Sequence, residues 1–491
     1  MTLNISPPIF ARLACAASLL AFFAPASRAQ DAAAFAASLT LRTDRVVADS
    51  SRPALGWLTQ TSPVAYTAKV ALQLKVALAP WEGDPKPVKE LGTFTIYGGD
   101  LAGAPFPFQV SLHDVADGYY RYAVDVVEGG TTLAKLLRPV VLIAGLEAKH
   151  ADAIARLARI SGHDSAKASV LYPFDLARTI NLGKRVFGSN NRNPEFGLSA
   201  AGAQTLPDFS ATLKRSAALL AALEAGQDPL WRVGGDTVRH HYLPEADEIL
   251  PYRVYVPSKW DGKAALPLVF ILHGNTRDQD FYLDRDGRII PKNAEQHGFM
   301  LVAPLGYSPN GGYNYVPFNR ERGARGVAAA IAAPQSFGAA NPAGGGVNGS
   351  TIPALVRSEW SEQDAMRVFE LIRREYPIDP KRTFLFGYSA GGQGAHYFGQ
   401  KYAEHWAAIA IGGSNAAMGP HYDFARLKGI PLLLFSGSGD GVLGATRALA
   451  ATLKESGVDA TFKEYAGANH DTAPAAATPD VFTFFATHGR P

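Results

Sequence analysis

The second half of the chain alternates short apolar runs with amphipathic segments, and this alternation restricts the fold more than any other feature of the sequence. Apolar runs at residues 268–272, 384–386 and 432–435 predict buried strands, and the amphipathic segment 361–376 predicts a helix. Repeated strand–helix units form mostly parallel sheets with helices on both faces, because each connection has to cross back over the sheet. We therefore predict a doubly wound α/β domain over residues 231–491.

The segment from residue 38 to residue 145 predicts a β-sandwich of immunoglobulin-like size. Apolar and polar residues alternate at 66–74 and 120–127, and turn sequences such as Glu128-Gly129-Gly130 separate the runs. Several short strands with turn signals between them are typical of two packed sheets.

Residues 146–230 lie between these two parts and predict a helical connector. Segments 147–160 and 209–225 are rich in Ala, Leu and Arg and have helical periodicity. The sequence assigns no chemistry to this connector.

The first 29 residues have the composition of a secretory signal peptide. Arg12 precedes an apolar run at 13–24, no acidic residue occurs before residue 31, and small residues end the segment at Ala29. The apolar run is too short to cross a bilayer comfortably, although an uncleaved anchor is the alternative. We expect cleavage near Ala29, a secreted or periplasmic protein, and no stable membrane insertion after cleavage.

Composition excludes several classes of function. The single cysteine, Cys15, lies inside the apolar run, so the mature chain would have neither disulfides nor a Cys-ligated zinc site. The 47 basic and 44 acidic residues are interspersed, which leaves no basic stretch for nucleic acid. His240 and His241 would point to opposite faces of a strand, so a shared metal is not expected. We expect no cofactor, no metal and no nucleic-acid partner.

The strongest candidate for a chemical role is Ser389, in the sequence Gly387-Tyr388-Ser389-Ala390-Gly391. An apolar run precedes it and a helical pattern follows it, so Ser389 would lie on a sharp strand-to-helix bend with its hydroxyl projecting from the sheet. Glycine is needed on both sides because a side chain there would collide with the neighbouring strand and helix.

A serine nucleophile needs a base, an acid that orients the base, and donors for the oxyanion. The base candidate is His470, after the last predicted strand, and the acid candidate is Asp440, in the glycine-rich loop after the strand at 432–435. Open α/β sheets collect ligands at the carboxyl ends of their strands, and the chain order Ser, Asp, His is that of α/β-hydrolases. The rival histidines and acids lie on the helix after Ser389, in other loops, at the chain end or beside His470: His396, His405, His421, His488, Asp423, Asp459 and Asp471.

Two backbone N–H groups are the candidate oxyanion donors. The first is that of Ala390, at the start of the following helix, where the helix dipole also favours negative charge. The second is that of Asn275, in the loop after the strand at 268–272, with Thr276 as the alternative.

The stretch 307–359 has no clear periodicity and predicts a long loop, which in a compact domain is usually functional or disordered. Its aromatic residues would either line a substrate cleft or pack the loop onto the domain. They are Tyr307, Tyr313, Tyr315 and Phe318.

These motifs resemble those of the α/β-hydrolase superfamily over roughly residues 252–485. More narrowly, the chain is similar to secreted esterases related to feruloyl esterases, acetylxylan esterases and poly(3-hydroxybutyrate) depolymerases. The resemblance implies Ser389 as nucleophile, Asp440 as orienting acid and His470 as base. The chain has Gly274-Asn275 where Gly-Gly more usually follows the oxyanion histidine, and it lacks the disulfides of many relatives. The similarity is carried by residues 251–257, 272–274, 376–382 and 387–392, by Gly439-Asp440 and by Asn469-His470.

The resemblance implies an exported serine carboxylic-ester hydrolase that acts through an acyl-enzyme on a small-molecule or polymeric ester, with feruloyl, acetyl or polyester groups as the substrates. Two alternatives stay open. A serine peptidase of the prolyl-oligopeptidase type has the same triad order. A surface glycan- or polymer-binding protein with an inactive hydrolase domain would use aromatic residues of the β-domain to stack on sugars, although core packing is more usual for such residues. The aromatic residues concerned are Trp57, Trp81, Tyr119 and Tyr120.

Overall fold

The computed structural model describes residues 31–61, 71–102, 104–182, 184, 208–308, 311–314, 354–414 and 423–490. The predicted signal peptide, residues 66–70, Tyr315, Phe318 and His421 lie outside these ranges. The chain divides into two compact units between Ala151 and Asp152. None of the described helices combines the length and the apolar character needed to cross a membrane.

Two β-sheets form the first unit. Its strands are β1 (Leu39–Thr43), β2 (Val47–Ala48), β3 (Ala54–Gln60), β4 (Ala71–Pro80), β5 (Lys89–Tyr97), β6 (Phe106–Val110), β7 (Gly118–Glu128) and β8 (Thr131–Leu142). The three-stranded sheet has the order β1-β3-β6 and is antiparallel. The five-stranded sheet has the order β2-β8-β7-β4-β5 and is antiparallel except for the β2–β8 pair.

Apolar residues from both sheets form one shared core in this unit. Tyr122, Val124 and Val126 of β7 are buried in it, together with Leu58 of β3 from the other sheet. The alternation at 120–127 therefore does place every second residue in a core, as expected for a strand. Two sheets that share a core have the arrangement of a sandwich, and the immunoglobulin-like topology stays a prediction.

Three helices follow along the chain: α1 (Leu146–Leu157), α2 (Asp164–Asn181) and α3 (Phe209–Glu224). The sequence predicts α1 and α3 but not α2. Twelve of the 18 residues of α2 are buried, and Pro173 lies inside it, a residue that normally ends or kinks a helical pattern.

The second unit is built on an eight-stranded sheet. Its strands are β9 (Gly235–Leu243), β10 (Glu248–Val256), β11 (Leu266–Leu272), β12 (Met300–Pro304), β13 (Ile378–Tyr388), β14 (Ala408–Gly412), β15 (Leu432–Gly437) and β16 (Ala460–Tyr465). The order is β16-β15-β14-β13-β11-β12-β10-β9. Strands β11 to β16 pair in parallel, whereas β10 is antiparallel to both β9 and β12. The predicted mostly parallel sheet is confirmed.

Helices cover both faces of this sheet. They are α4 (Phe281–Asp284), α5 (Ile289–His297), α6 (Ala354–Glu375), α7 (Ala390–Lys401), α8 (Leu443–Glu455) and α9 (Ala473–Thr487). Leu268, Phe270 and Leu272 of β11 share one core with residues of α6, α7 and α8. Val269 and Ile271 share a second core with residues of α5 and α9. Successive residues of a strand point to opposite faces, so the continuous apolar run of β11 is explained by burial on both sides.

His240 and His241 are neighbours on β9 and show the same alternation between the two faces of a strand. His240 stacks on Tyr172 of α2, and its Nδ1 lies 3.0 Å from the Ser169 Oγ. The His241 Nε2 lies 2.5 Å from the Asp364 Oδ1 of α6. The two side chains therefore point to opposite faces of the strand and do not form a shared site, as the sequence predicts.

Candidate active site

Ser389 lies on the bend between β13 and α7. Its backbone has φ 59° and ψ −123°, a conformation that L-residues rarely adopt. Glycine makes this bend sterically possible. A Cβ at Gly387 would lie 2.0 Å from the Gly391 carbonyl oxygen, and a Cβ at Gly391 would lie 2.0 Å from the Leu272 carbonyl oxygen. Both flanking positions thus allow α7 to approach the sheet at backbone contact distance.

The structure brings Ser389, His470 and Asp440 together in one hydrogen-bonded relay. The His470 Nε2 lies 3.0 Å from the Ser389 Oγ. The His470 Nδ1 lies 3.0 Å and 2.9 Å from the two carboxylate oxygens of Asp440. The Asp440 side chain is 1% exposed and that of His470 is 43% exposed, so the carboxylate is enclosed while the imidazole faces the solvent.

Several donors converge on the Asp440 carboxylate. The Val442 N–H donates to one oxygen at 3.0 Å, and the hydroxyls of Tyr388 and Ser436 donate to the other at 2.9 Å and 3.2 Å. Burial alone raises the pKa of Asp440, but the bonds from Val442, His470 and Tyr388 outweigh it and hold that pKa below its ordinary value. Asp440 is therefore an anion at neutral pH, as an acid that orients an imidazole has to be.

Sequence reasoning missed Tyr388 and Ser436 as part of this site. Burial and the Asp440 charge raise the pKa of the Tyr388 phenol, which keeps it protonated and able to donate. Its ring also packs against the imidazole of His470 at 5.1 Å between centroids. The signal was present in the sequence, because Tyr388 directly precedes the serine and Ser436 precedes Asp440 by four residues.

The loop after β11 lies against Ser389. A Cβ at Gly274 would be 3.3 Å from the Ser389 Cβ. The Arg277 N–H donates to the Gly274 carbonyl at 3.3 Å and closes a turn in which Thr276 has φ 62°. A β-branched residue at positive φ is strained, and such strain is commonly found at functional sites. Among the described residues, neither the Asn275 N–H nor the Ala390 N–H donates to another protein group.

The His273 side chain holds this loop in place and does not belong to the hydrogen-bonded relay. Its side chain is buried, with Nδ1 2.9 Å from the Gly274 carbonyl and Nε2 2.7 Å from the Leu305 carbonyl. Its own N–H donates to the Tyr313 hydroxyl at 3.1 Å. Burial lowers the pKa of His273, which favours the neutral imidazole.

The rival histidines and acids lie elsewhere. His396 is buried on α7, His405 is in a short 3-10 turn, and the His488 Nδ1 lies 2.7 Å from the Phe484 carbonyl. Asp423 caps another 3-10 turn, and Asp471 points its exposed carboxylate toward Arg277. Asp459 directly precedes β16, at the opposite end of that strand from His470.

Two of the aromatic residues predicted for a cleft or for packing prove to be packed inside the domain. The Tyr307 hydroxyl donates to the Glu248 carboxylate at 3.0 Å, and Tyr313 is buried beneath the loop of His273. Across the described ranges, no group of three or more His, Cys, Asp and Glu side chains is arranged to hold a metal ion.

Several solved structures similar to this chain are described as hydrolases or esterases. S-formylglutathione hydrolase from Staphylococcus aureus is 15% identical, covering 51% of this chain and 98% of that one, with a TM-score of 0.35. A ferulic acid esterase from Anaeromyces mucronatus, in complex with ferulic acid, is 16% identical, covering 52% and 90%, with a TM-score of 0.37. S-formylglutathione hydrolase from Agrobacterium tumefaciens is 17% identical, covering 52% and 95%, with a TM-score of 0.34. No family model and no curated protein matches the sequence.

Because the folded-state pKa of Asp440 is depressed, its carboxylate stabilises the fold above its unfolded-state pKa of about 3.9, and this contribution is lost as the pH falls through the folded-state value. We expect Asp440→Asn to lower the free energy of unfolding at about pH 6, with the difference from wild type shrinking toward about pH 3. Urea unfolding of both proteins across this range measures the difference. A difference that grows on acidification would contradict this assignment of the pKa shift.

Proposed function

We propose that this chain is a serine carboxylic-ester hydrolase that acts through an acyl-enzyme. One observation supports this most directly: an unbroken relay from the Ser389 Oγ through His470 to an enclosed, anionic Asp440, with spacings of 2.9–3.0 Å. A serine hydroxyl on a strained strand-to-helix bend, with its base at hydrogen-bonding distance, is the arrangement that nucleophilic acyl transfer requires.

In the proposed reaction, the Ser389 Oγ attacks the ester carbonyl carbon while its proton passes to the His470 Nε2. The resulting oxyanion accepts hydrogen bonds from the Ala390 and Asn275 N–H groups. The imidazolium gives its proton to the leaving alkoxide oxygen, so the alcohol departs and the acyl group stays on Ser389. Water then attacks the acyl-enzyme by the same route and releases the carboxylic acid and the free serine. No step requires a metal ion or an organic cofactor.

Asp440 supports this scheme electrostatically. Its carboxylate accepts from the His470 Nδ1–H, which selects the tautomer whose Nε2 can take the serine proton. The negative charge also stabilises the imidazolium that forms in each half-reaction. The donors from Val442, Tyr388 and Ser436 keep that carboxylate oriented and ionised.

For the substrate we propose feruloyl, acetyl or polyester groups, on the sequence resemblance described above. A peptidase with the same triad order and a non-catalytic binding protein are the alternatives. The non-catalytic alternative would bind a glycan or polymer through four aromatic residues of the β-domain, Trp57, Trp81, Tyr119 and Tyr120. All four are half-buried, and the Tyr120 hydroxyl donates to the Ala116 carbonyl at 3.2 Å.

One prediction concerns Ser389 as nucleophile and His470 as base. Ser389→Ala and His470→Ala should each lower kcat for a short-chain ester by a factor on the order of 10³–10⁶ while the fold is retained. A panel of short acyl esters, feruloyl esters, acetylated xylan, a polyester and a peptide would be assayed with each protein, and unfolding would be followed in parallel.

Labelling by a fluorophosphonate probe gives an independent readout, because it needs an activated serine but no particular acyl group. Wild type should be labelled and Ser389→Ala should not. Ester turnover by Ser389→Ala at the wild-type rate would overturn the proposal, and cleavage of the peptide in preference to every ester would favour the peptidase.

A second prediction isolates the Asn275 N–H. Asn275 occupies the second position of the turn from Gly274 to Arg277, where proline is well tolerated, so Asn275→Pro removes the N–H with little change of backbone. We expect kcat to fall by about 10²–10³, the usual effect of losing one oxyanion donor. Asn275→Ala keeps the N–H and is the matched control, expected to stay near the wild-type kcat. Equal activity of the two variants would remove Asn275 from the oxyanion hole.

We also propose that the protein is exported to the periplasm or outside the cell. The proposal rests on Arg12, the apolar run at 13–24 and the small residues that end at Ala29. Expression of the full chain in a bacterial host should yield a mature protein that begins close to Gln30. N-terminal sequencing of the purified protein tests this, and an intact N-terminus on exported material would count against cleavage.

A further inference from the structure

Two arginines and one phenylalanine form a cluster beside the histidine of the relay. The guanidinium groups of Arg277 and Arg285 both lie over the Phe281 ring, 4.4 Å and 4.6 Å from its centroid. Both also reach Asp471, the residue that follows His470. We call Arg277, Phe281 and Arg285 the arginine–phenylalanine stack.

The loop that carries His470 is attached to the rest of the site on the side of the acid. The Gly439 N–H donates to the Ala468 carbonyl at 2.8 Å, and the Gly467 N–H donates to the Ser438 hydroxyl at 2.8 Å. These bonds tie the stretch before His470 to the loop that carries Asp440. They leave the stretch after His470 to be fixed by other groups.

Within the loop, Asn469 closes a local turn. Its side-chain oxygen accepts from the Asp471 and Thr472 N–H groups, each at 3.0 Å. This turn gives the loop its shape, and the Ala473 N–H at the start of α9 donates to the Asn469 carbonyl at 3.0 Å, so the loop continues directly into that helix. The orientation of His470 relative to Ser389 therefore depends on α9, on the loop of Asp440 and on further contacts to the turn.

Arg285 supplies such a contact from the opposite side. Its Nη2 donates to the Asp471 carbonyl at 2.6 Å, while its Nε donates to the Asp286 carboxylate at 2.6 Å. The side chain is only 22% exposed, and its stacking on Phe281 restricts the guanidinium further. A charge-assisted hydrogen bond from a restrained donor is stronger than one from a mobile surface side chain.

Arg277 makes the weaker contact of the two. Its Nη2 lies 3.7 Å from the Asp471 carboxylate, which is beyond hydrogen-bonding distance, and the Asp471 side chain is 70% exposed. Exposed pairs of this kind contribute little. Arg277 nevertheless belongs to the turn that lies against Ser389, so the stack joins the loop of His470 to that turn.

We propose that Arg285 is a positioning residue for the base, which holds the Asp471 carbonyl so that the His470 imidazole stays in line between Ser389 and Asp440. The inference rests on the proposed function, since a positioned base matters only if proton transfer at Ser389 occurs. Arg285 itself touches neither the substrate nor the reacting atoms.

The test compares Arg285→Gln with Arg288→Gln. Arg288 is three residues away and pairs with Asp284 and Asp236, so it controls for the loss of one arginine in the same segment. We expect Arg285→Gln to lower kcat by about 10- to 100-fold with little change in KM, as small displacements of catalytic groups do. Arg288→Gln should keep the wild-type kcat. Rates are expressed per active site, counted with the fluorophosphonate probe, so that unfolded protein does not enter the comparison.

Two further measurements separate positioning from a general loss of structure. Added guanidinium ion at millimolar concentration should restore part of the kcat of Arg285→Ala and leave Arg288→Gln unchanged. Arg285→Lys should have a lower kcat than wild type, because an ammonium group lacks the planar fork that donates to both Asp286 and Asp471.

The outcomes distinguish this inference from the proposed function. If wild type turns over esters through Ser389 and Arg285→Gln has the same kcat per active site, the positioning role is wrong and the esterase proposal stands. A rise in the KM of Arg285→Gln with no loss of kcat would also overturn the positioning role. If wild type neither reacts with the probe nor hydrolyses any ester, both proposals fall together.

Discussion

The candidate site depends on a contact between backbones: the first turn of α7 lies directly against the ends of β11 and β13. Gly387 and Gly391 make this approach possible, because any side chain there would overlap a carbonyl group at 2.0 Å. The packing holds Ser389 at a positive φ, a conformation that costs on the order of 1–3 kcal/mol for a residue other than glycine. The cores on the two faces of the sheet stabilise that contact, since they fix β11 and β13 on one side against α6, α7 and α8 and on the other against α5 and α9.

Hydrogen bonds from protein groups are concentrated on Asp440 and are fewer around Ser389, and this difference matches the proposed chemistry. The acid is enclosed and accepts from Val442, Tyr388 and Ser436 as well as from His470. Ser389 and the turn from Gly274 to Arg277 lie at the carboxyl end of the parallel strands, where the Asn275 and Ala390 N–H groups donate to no other protein group in the described ranges. In the proposed reaction, the charge of Asp440 is thus stabilised in advance, and two N–H donors are available where the oxyanion would form.

Much of the fold and of the candidate site could be predicted from the sequence, and there are physical reasons why the remaining elements and residues could not. Strands β11, β12, β14 and β15 are short apolar runs that are buried throughout, so their burial and their parallel order follow from composition and spacing. Strands β9 and β10 carry polar residues such as Arg239 and Glu248, which are buried only because partners from distant elements satisfy them. Helix α2 was not predicted, and it contains Pro173, a residue that in a sequence argues against a helix interior. The triad residues could be selected by their positions after strand ends, and Tyr388 and Ser436 lie close to Ser389 and Asp440 in sequence. The contact of Arg285 with Asp471 joins segments 186 residues apart, and no local pattern records it.

The exposure of His470 has a consequence for the second half of the proposed reaction. An acyl group on Ser389 can be removed only if water reaches the same imidazole nitrogen that the departing alcohol has just left. His470 has 43% of its side chain exposed to solvent, so an incoming water molecule can approach this residue. Another alcohol could arrive by the same path in place of water, and the acyl group would then pass to it instead of being released as an acid.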